Sequence, residues 1–272
     1  IYRDNKGLAW VNPYCQEVWD YLVEVGKKAG EIGFSEIQFD YIRFAVDRTM
    51  KDVVFDPEDT KGRSKEEAIT EFISYAYDAL AREGLMVSAD VFGTIIRSGE
   101  DAQAVGQDYG EMARHLDYLC PMIYPSHYGD GNFGIEHPDT QPYDTILNAL
   151  KGSKDVLAKA KAENENGRQA IVRPWLQDFT ASYLKNYIDY GDEQVRAQIQ
   201  AVYDAGYDEW ILWDAGVSYH YGGLLTPEEA AREEQEIQES RAEEARLEES
   251  RAAESSAAAQ SGAAAADGTG NQ

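Results

Sequence analysis

Cysteine is nearly absent. Cys15 and Cys120 are the whole complement of a 272-residue chain. Two thiols cannot make a disulfide framework, so an apolar core must hold the fold, and both read as ordinary buried thiols. Histidine is almost as sparse: His115, His127, His137 and His220 show no metal-ligand spacing, which leaves no metal to expect. There is no serine nucleophile elbow, phosphate-cradling glycine loop or dinucleotide fingerprint, since Gly216, Gly222 and Gly223 do not form one. No cofactor is therefore expected. No apolar run approaches the roughly 20 residues of a membrane-crossing helix. Residues Ile1 to Lys6 do not read as a signal peptide, and the lack of a starting Met suggests a fragment or processed product. Positive charge is also scarce, with 25 basic against 50 acidic residues and a net charge of −25. That balance repels phosphate, so nucleic acid and anionic membrane surfaces are unfavourable partners.

What is present suits one large globular domain, with 43% hydrophobic and 11% aromatic residues. The stretch from Gly33 to Phe44 organises it. Ile37 and Phe39 alternate with Gln38 and Asp40 after a Gly-Phe entry, which is a strand pattern that puts Gln38 and Asp40 on one face. Asn12-Pro13 reads as the start of a preceding helix, with Val18, Tyr21, Leu22, Val25 and Ala29 at helical spacing. Ser64 with Glu66 and Glu67 opens another, striped by Ala68, Ile69, Phe72, Ile73, Ala76 and Leu80 and stopped by Gly84.

Strands follow at Leu85–Gly93, Asp117–Pro125, Ala170–Phe179 and Glu209–Ala215, separated by helices over Tyr109–Leu116, about Tyr143–Ala162 and Glu193–Ala205. Five strands alternating with helices imply a parallel sheet with right-handed crossovers. From Thr226 the character changes. Residues 226–272 contain no aromatic residue and carry a net charge of −8, leaving −17 for residues 1–225. This acidic tail is expected to be helical from Thr226-Pro227 and then disordered, giving domains of 1–225 and 226–272.

Four of the five strands reach a polar or acidic group near their carboxyl ends: Asp40, Asp90, Gln177 with Asp178, and Asp214. Aspartate is a poor strand residue and costly to bury unpaired, so the recurrence points to a shared site beyond the strand ends. Aromatic residues gather there too. Tyr124 and Trp175 read as site walls, whereas Phe92 and Trp213 read as core. Rings beside carboxylates and amides suit a carbohydrate. Asp40 and Asp90, on successive strands, form the natural pair for glycosidic cleavage, in which one carboxyl protonates the leaving oxygen and the other attacks or activates water. Arg43 is read as the charge partner that keeps Asp40 ionised. The bland alternative is a set of structural ion pairs, with Arg43 and Arg173 as partners. Gln38, Arg43, Tyr124, His127, Trp175, Gln177 and Asp214 complete the candidate substrate contacts.

Four motifs carry a family resemblance: Glu36-Ile-Gln-Phe-Asp-Tyr-Ile-Arg-Phe44, Gly7-Leu-Ala-Trp-Val-Asn-Pro-Tyr14, Ser88-Ala-Asp-Val-Phe-Gly93 and Pro121-Met-Ile-Tyr-Pro-Ser-His-Tyr128. Over residues 1 to about 222 the chain resembles bacterial glycoside-hydrolase-like domains of TIM-barrel fold, long catalogued as a domain of unknown function. The resemblance implies a (β/α)8 barrel, a carbohydrate substrate in the cell envelope or outside the cell, and Asp40 as the leading catalytic residue, with Asp90 next. It also implies about three βα units ahead of the first residue here. The expected fold is therefore a partial TIM barrel of strands four to eight, with an exposed edge at residues 37–42, inactive in isolation. Two other readings compete with a hydrolase: a non-catalytic carbohydrate-binding barrel of the envelope, and a scaffold acting through the acidic tail. Nothing in the sequence sets an oligomeric state.

Overall fold

The computed structural model describes residues 1–163, 168–232, 235–243 and 246–247. The chain divides into two compact units, Ile1–Gly223 and Leu224–Gln272. In the first, α1 (Gln16–Glu31) leads into β1 (Glu36–Phe39), and the short α2 (Pro57–Thr60) precedes α3 (Lys65–Ala81) and β2 (Met86–Phe92). Helices α4 (Gly99–Val105) and α5 (Tyr109–Met112) lead to β3 (Tyr118–Met122). The long α6 (Pro142–Glu163) connects to β4 (Ile171–Val172) and β5 (Trp175–Gln177), and α7 (Asp192–Asp204) to β6 (Ile211–Trp213).

All six strands lie in one parallel sheet ordered β1-β2-β3-β5-β6, with β4 paired to β3. Sequential order without reversal is barrel winding, since a doubly wound sheet would reverse direction at a switch point. The fourth expected strand, Ala170–Phe179, is split in two because Pro174 lacks the N–H that a continuous ladder needs.

The sheet curls. In a flat sheet the first and fourth strands stand about 14 Å apart. Yet the Arg173 guanidinium, just after β4, meets Glu36 on β1 at 3.1 Å and Glu209 at 3.1 Å. It also lies 3.6 Å over the Tyr118 ring on β3. The inner face is therefore concave, and this brace crosses it near the strand starts. The first unit is a half-barrel, a partial TIM-like α/β fold. Among the described residues its first strand pairs only with β2, which leaves its far edge open.

The helices take their ends from local chemistry. Ser64 and Glu67 form a reciprocal capping box at the start of α3, as the sequence predicts. Helix α1 begins three residues later than Asn12-Pro13 predicts. Asn12 caps a turn instead, its side-chain oxygen accepting from the Tyr14 N–H, and Cys15 takes the N-cap position. Cys120 is buried, but Cys15 is only half-buried, a departure from the expected pair of buried thiols. The Tyr109–Leu116 helix shortens to one turn, so His115 lies beyond it.

In the second unit, residues 227–232, 235–243 and 246–247 are helical. Thr226 and Glu229 cap the start reciprocally: the Thr226 N–H donates to Glu229, and the Glu229 N–H to the Thr226 hydroxyl. The expected disorder of the chain end falls on residues 248–272, outside the described residues.

Candidate functional site

Strand pleating sets the site. Gln38 pairs with Ser88 and Phe39 with Ala89, and one more step of that register puts Asp40 level with Asp90. Side chains two apart share a face, and neighbouring strands lie about 5 Å apart. Gln38 and Asp90 do meet on the concave side: Gln38 Nε2 donates to Asp90 Oδ1 at 2.6 Å. Trp175, across on β5, donates its indole Nε1 to the same oxygen at 2.7 Å.

Asp90 is buried at 7% exposure, and its pKa is pushed up to about 6. Desolvation is the main cause, because a buried carboxyl loses the water that favours its charged form. The bonds from Trp175 and Gln38 oppose the rise, and the negative charge of Asp40 adds to it. Burial raises the Tyr124 phenol far above its usual value, with the charges of Asp90 and Asp40 as further causes. Asp90, Asp40 and Tyr124 thus share one electrostatic neighbourhood.

Asp40 itself is exposed, and its Oδ1 accepts from the Tyr41 N–H at 2.7 Å. Tyr41 holds a left-handed backbone, φ 55°, which is unusual for a bulky residue and folds the chain sharply just after β1. Arg43 feels the charge of Asp40, which favours its cation, but it is anchored elsewhere. Among the described residues it forms no ion pair with Asp40. It donates to the Phe44 carbonyl at 2.9 Å and packs against the rings of Trp10, Tyr41 and Phe92 at 4.9, 5.3 and 5.0 Å. Arg173 is committed to Glu36 and Glu209. Neither arginine therefore supports the ion-pair alternative for Asp40 and Asp90.

The other candidates fall into two groups. Tyr124, after β3, contacts His127 and Phe179 edge-on at ring distances of 5.2 and 5.8 Å. Ser126 joins His127, at 3.2 Å, to Gln177, whose Oε1 accepts from the Ser126 hydroxyl at 2.7 Å. Gln177 is fully buried and also donates to Asp139 at 2.9 Å, so it supports the Tyr124–His127 loop from below. Asp214 closes a turn, its Oδ2 accepting from the Ser218 N–H at 2.8 Å. Trp213 is 43% exposed rather than core, and its ring meets Trp175 edge-on at 5.8 Å.

Sequence reasoning missed Trp10 as the main stacking partner of Arg43. It also missed the pairing of Asp178 with His220, which lie 42 residues apart and carry no local spacing signal. A cavity of about 670 Å³ opens beside β1, lined by Asp40, Tyr41, Arg43, Trp10 and residues of α1, but not by Asp90. Among the described residues no group of three or more His, Cys, Asp or Glu could hold a metal ion, and no helix is long and apolar enough to cross a membrane.

Residues 1–219 match the family model described as "Putative glycosyl hydrolase domain". The chain belongs to that family. The matched span of this glycosyl hydrolase domain holds every sequence-predicted candidate, from Gln38 to Asp214. Its fold is similar to a class V chitinase from Pseudomonas fluorescens Pf-5, at 14% identity and TM-score 0.50, covering 77% of this chain and 71% of that one. It is also similar to a chitinase from Chromobacterium violaceum ATCC 12472, at 13% identity and TM-score 0.50, covering 81% and 75%. A further similarity is to the spore cortex-lytic enzyme SleL of Bacillus megaterium QM B1551, at 14% identity and TM-score 0.48. There the match covers 77% of this chain but only 52% of that one, about half its length. No curated protein matches the chain.

Proposed function

We propose that this glycosyl hydrolase domain cleaves a polysaccharide or cell-envelope glycan, in the envelope or outside the cell, with Asp90 as proton donor. Asp40 serves as the second carboxyl group, attacking the sugar or activating water. The observation that carries this reading is the buried Asp90 carboxyl, raised to about 6 beside a second aspartate one strand away. A group that holds its proton to that pH can deliver it to a leaving oxygen near neutrality. Tyr124, His127 and Trp175 form the walls, and Gln38 and Trp175 hold the donor. The reading carries the expectation that the half-barrel alone is inactive, because β1, which Asp40 directly follows, has an open edge.

The test is a hydrolysis screen of full-length protein against soluble and insoluble glycans, with Asp40→Asn and Asp90→Asn alongside. Each substitution should lower kcat about 10²-fold or more while leaving the protein folded. A non-catalytic carbohydrate-binding barrel is the second reading, favoured by the cavity that includes Asp40 without Asp90. It predicts glycan binding that survives both substitutions and no turnover by wild type.

A further inference from the structure

The paired-carboxylate reading leaves one arrangement of titratable groups unused. Asp178, one residue past β5, has a side chain at 0% exposure, and it is committed entirely to His220, whose side chain is 41% exposed. The two carboxylate oxygens divide the work: Oδ1 meets His220 Nδ1 at 2.5 Å, and Oδ2 accepts from the His220 backbone N–H at 3.0 Å. A carboxylate offers only lone pairs, so Nδ1 is the ring nitrogen that donates, and whenever the ring is neutral Nε2 presents a lone pair. Nε2 has no hydrogen-bond partner among the described residues.

The backbone bond alone would anchor the loop. The ring bond does something else: it fixes tautomer and orientation, as a carboxylate does behind a histidine that must aim its far nitrogen. Burying a carboxylate for that purpose is unfavourable unless it is fully bonded, and here both oxygens are.

The pair also sits on the rim already described. The Asp178 N–H donates to the Trp213 carbonyl at 2.9 Å. Trp213 meets Trp175 edge-on at 5.8 Å, and Trp175 bonds Asp90 at 2.7 Å. On the other flank Phe179 packs against Tyr124 at 5.8 Å. The Asp178–His220 pair thus stands between two ring groups, Tyr124–Phe179 along the chain and Trp213–Trp175 across the backbone bond.

We propose that His220, oriented by buried Asp178, contacts the glycan: Nε2 accepts a hydrogen bond from the hydroxyl of a neutral sugar unit seated against the exposed Trp213 ring. This inference rests on the hydrolase reading and assigns a second sugar-recognition position to the same rim.

The test uses full-length protein and a panel of neutral oligosaccharides (cellopentaose, penta-N-acetylchitopentaose, xylopentaose and maltopentaose), with Kd by calorimetry and Tm by scanning calorimetry. His220→Asn keeps a donor where Nδ1 stood, so the Asp178 bond survives while Nε2 is lost. His220→Gln restores a polar atom near the Nε2 position. The expected result is that the oligosaccharide bound by wild type binds His220→Asn about tenfold more weakly with unchanged Tm, and that His220→Gln recovers part of the loss. Equal affinity in His220→Asn overturns the inference and leaves the paired-carboxylate reading standing. A fall in Tm in His220→Asn makes the pair a loop anchor and overturns it too. A wild type that binds none of the panel overturns the inference of a neutral sugar unit here and leaves the hydrolase reading to the hydrolysis screen.

Discussion

Trp175 Nε1 and Asp90 Oδ1 stand 2.7 Å apart, an indole donor fixed on a buried carboxyl oxygen. An indole can only donate, so this bond favours the charged form of Asp90 and holds its pKa below what burial alone would set. The Asp90 carboxyl is thus set between two opposing effects, and burial wins.

Removing that donor therefore has a definite sign. Trp175→Phe and Gln38→Leu each raise the Asp90 pKa above about 6, and Asp40→Asn lowers it by deleting a neighbouring negative charge. The check is a carboxyl-carbon NMR titration, with the alkaline limb of the pH–rate profile moving in the same direction as the titration midpoint. A Trp175→Phe midpoint that moves down contradicts the tuning.

The raised pKa is also a stability statement. Folding raises the Asp90 pKa above its ordinary 3.8, so the folded state holds this proton more tightly than the unfolded chain. The resulting stability is fully present below pH 3.8 and is lost as pH rises through about 6. Asp90→Asn, permanently neutral, should be more stable than wild type at pH 7 by about 3 kcal/mol, and the gain should vanish near pH 3.5. Urea unfolding of both proteins across that range measures it. A variant less stable than wild type at pH 7 makes Asp90 a structural carboxylate.

Much of this was legible in the sequence, and the exceptions have physical causes. Period-two alternation placed β1, and capping chemistry placed the start of α3, because both signals are local. Convergence of Asp40 and Asp90 was legible because adjacent parallel strands must lie side by side. The Arg173 brace was not, since its partners Glu36 and Glu209 lie 137 and 36 residues away. Only the curl of the sheet brings them together. Arg43 was legible only in part for a related reason: spacing put a cation in electrostatic reach of Asp40, but of the three rings it packs against, Trp10 and Phe92 come from distant parts of the chain. Trp213 read as core because its strand would be covered on both faces in a closed barrel, whereas β6 pairs only with β5.

The brace itself makes a prediction. Arg173→Met removes the cation from between Glu36 and Glu209 and leaves two carboxylates facing the concave side without it. All three side chains are partly solvated, at 17%, 22% and 41% exposure, so the loss should be about 1–2 kcal/mol, below that of a fully buried pair. Chemical denaturation of the two proteins at pH 7 reads it, and Tyr118 fluorescence should change with it. A double substitution, Arg173→Met with Glu36→Gln, should recover part of the loss by removing one of the stranded charges. If Arg173→Met leaves stability unaltered, the contact is incidental to the curl.

Tyr41 links backbone strain to the site. At φ 55°, an L-residue with a Cβ pays about 1–2 kcal/mol relative to the right-handed region, and glycine does not. Tyr41→Gly should therefore leave stability within about 1 kcal/mol of wild type, because relief of strain offsets chain entropy and the lost contacts with Trp10 and Arg43. Tyr41→Val should destabilise by more, since a branched Cβ tolerates this conformation worst. The effect on turnover should run differently. The Tyr41 N–H holds the Asp40 carboxyl at 2.7 Å, and a glycine at this position loosens that hold while keeping the N–H, so kcat should fall several-fold with KM little changed. Denaturation and steady-state kinetics on the two variants separate the effects: a Tyr41→Gly protein with wild-type kcat shows that the strained turn is not needed to position Asp40.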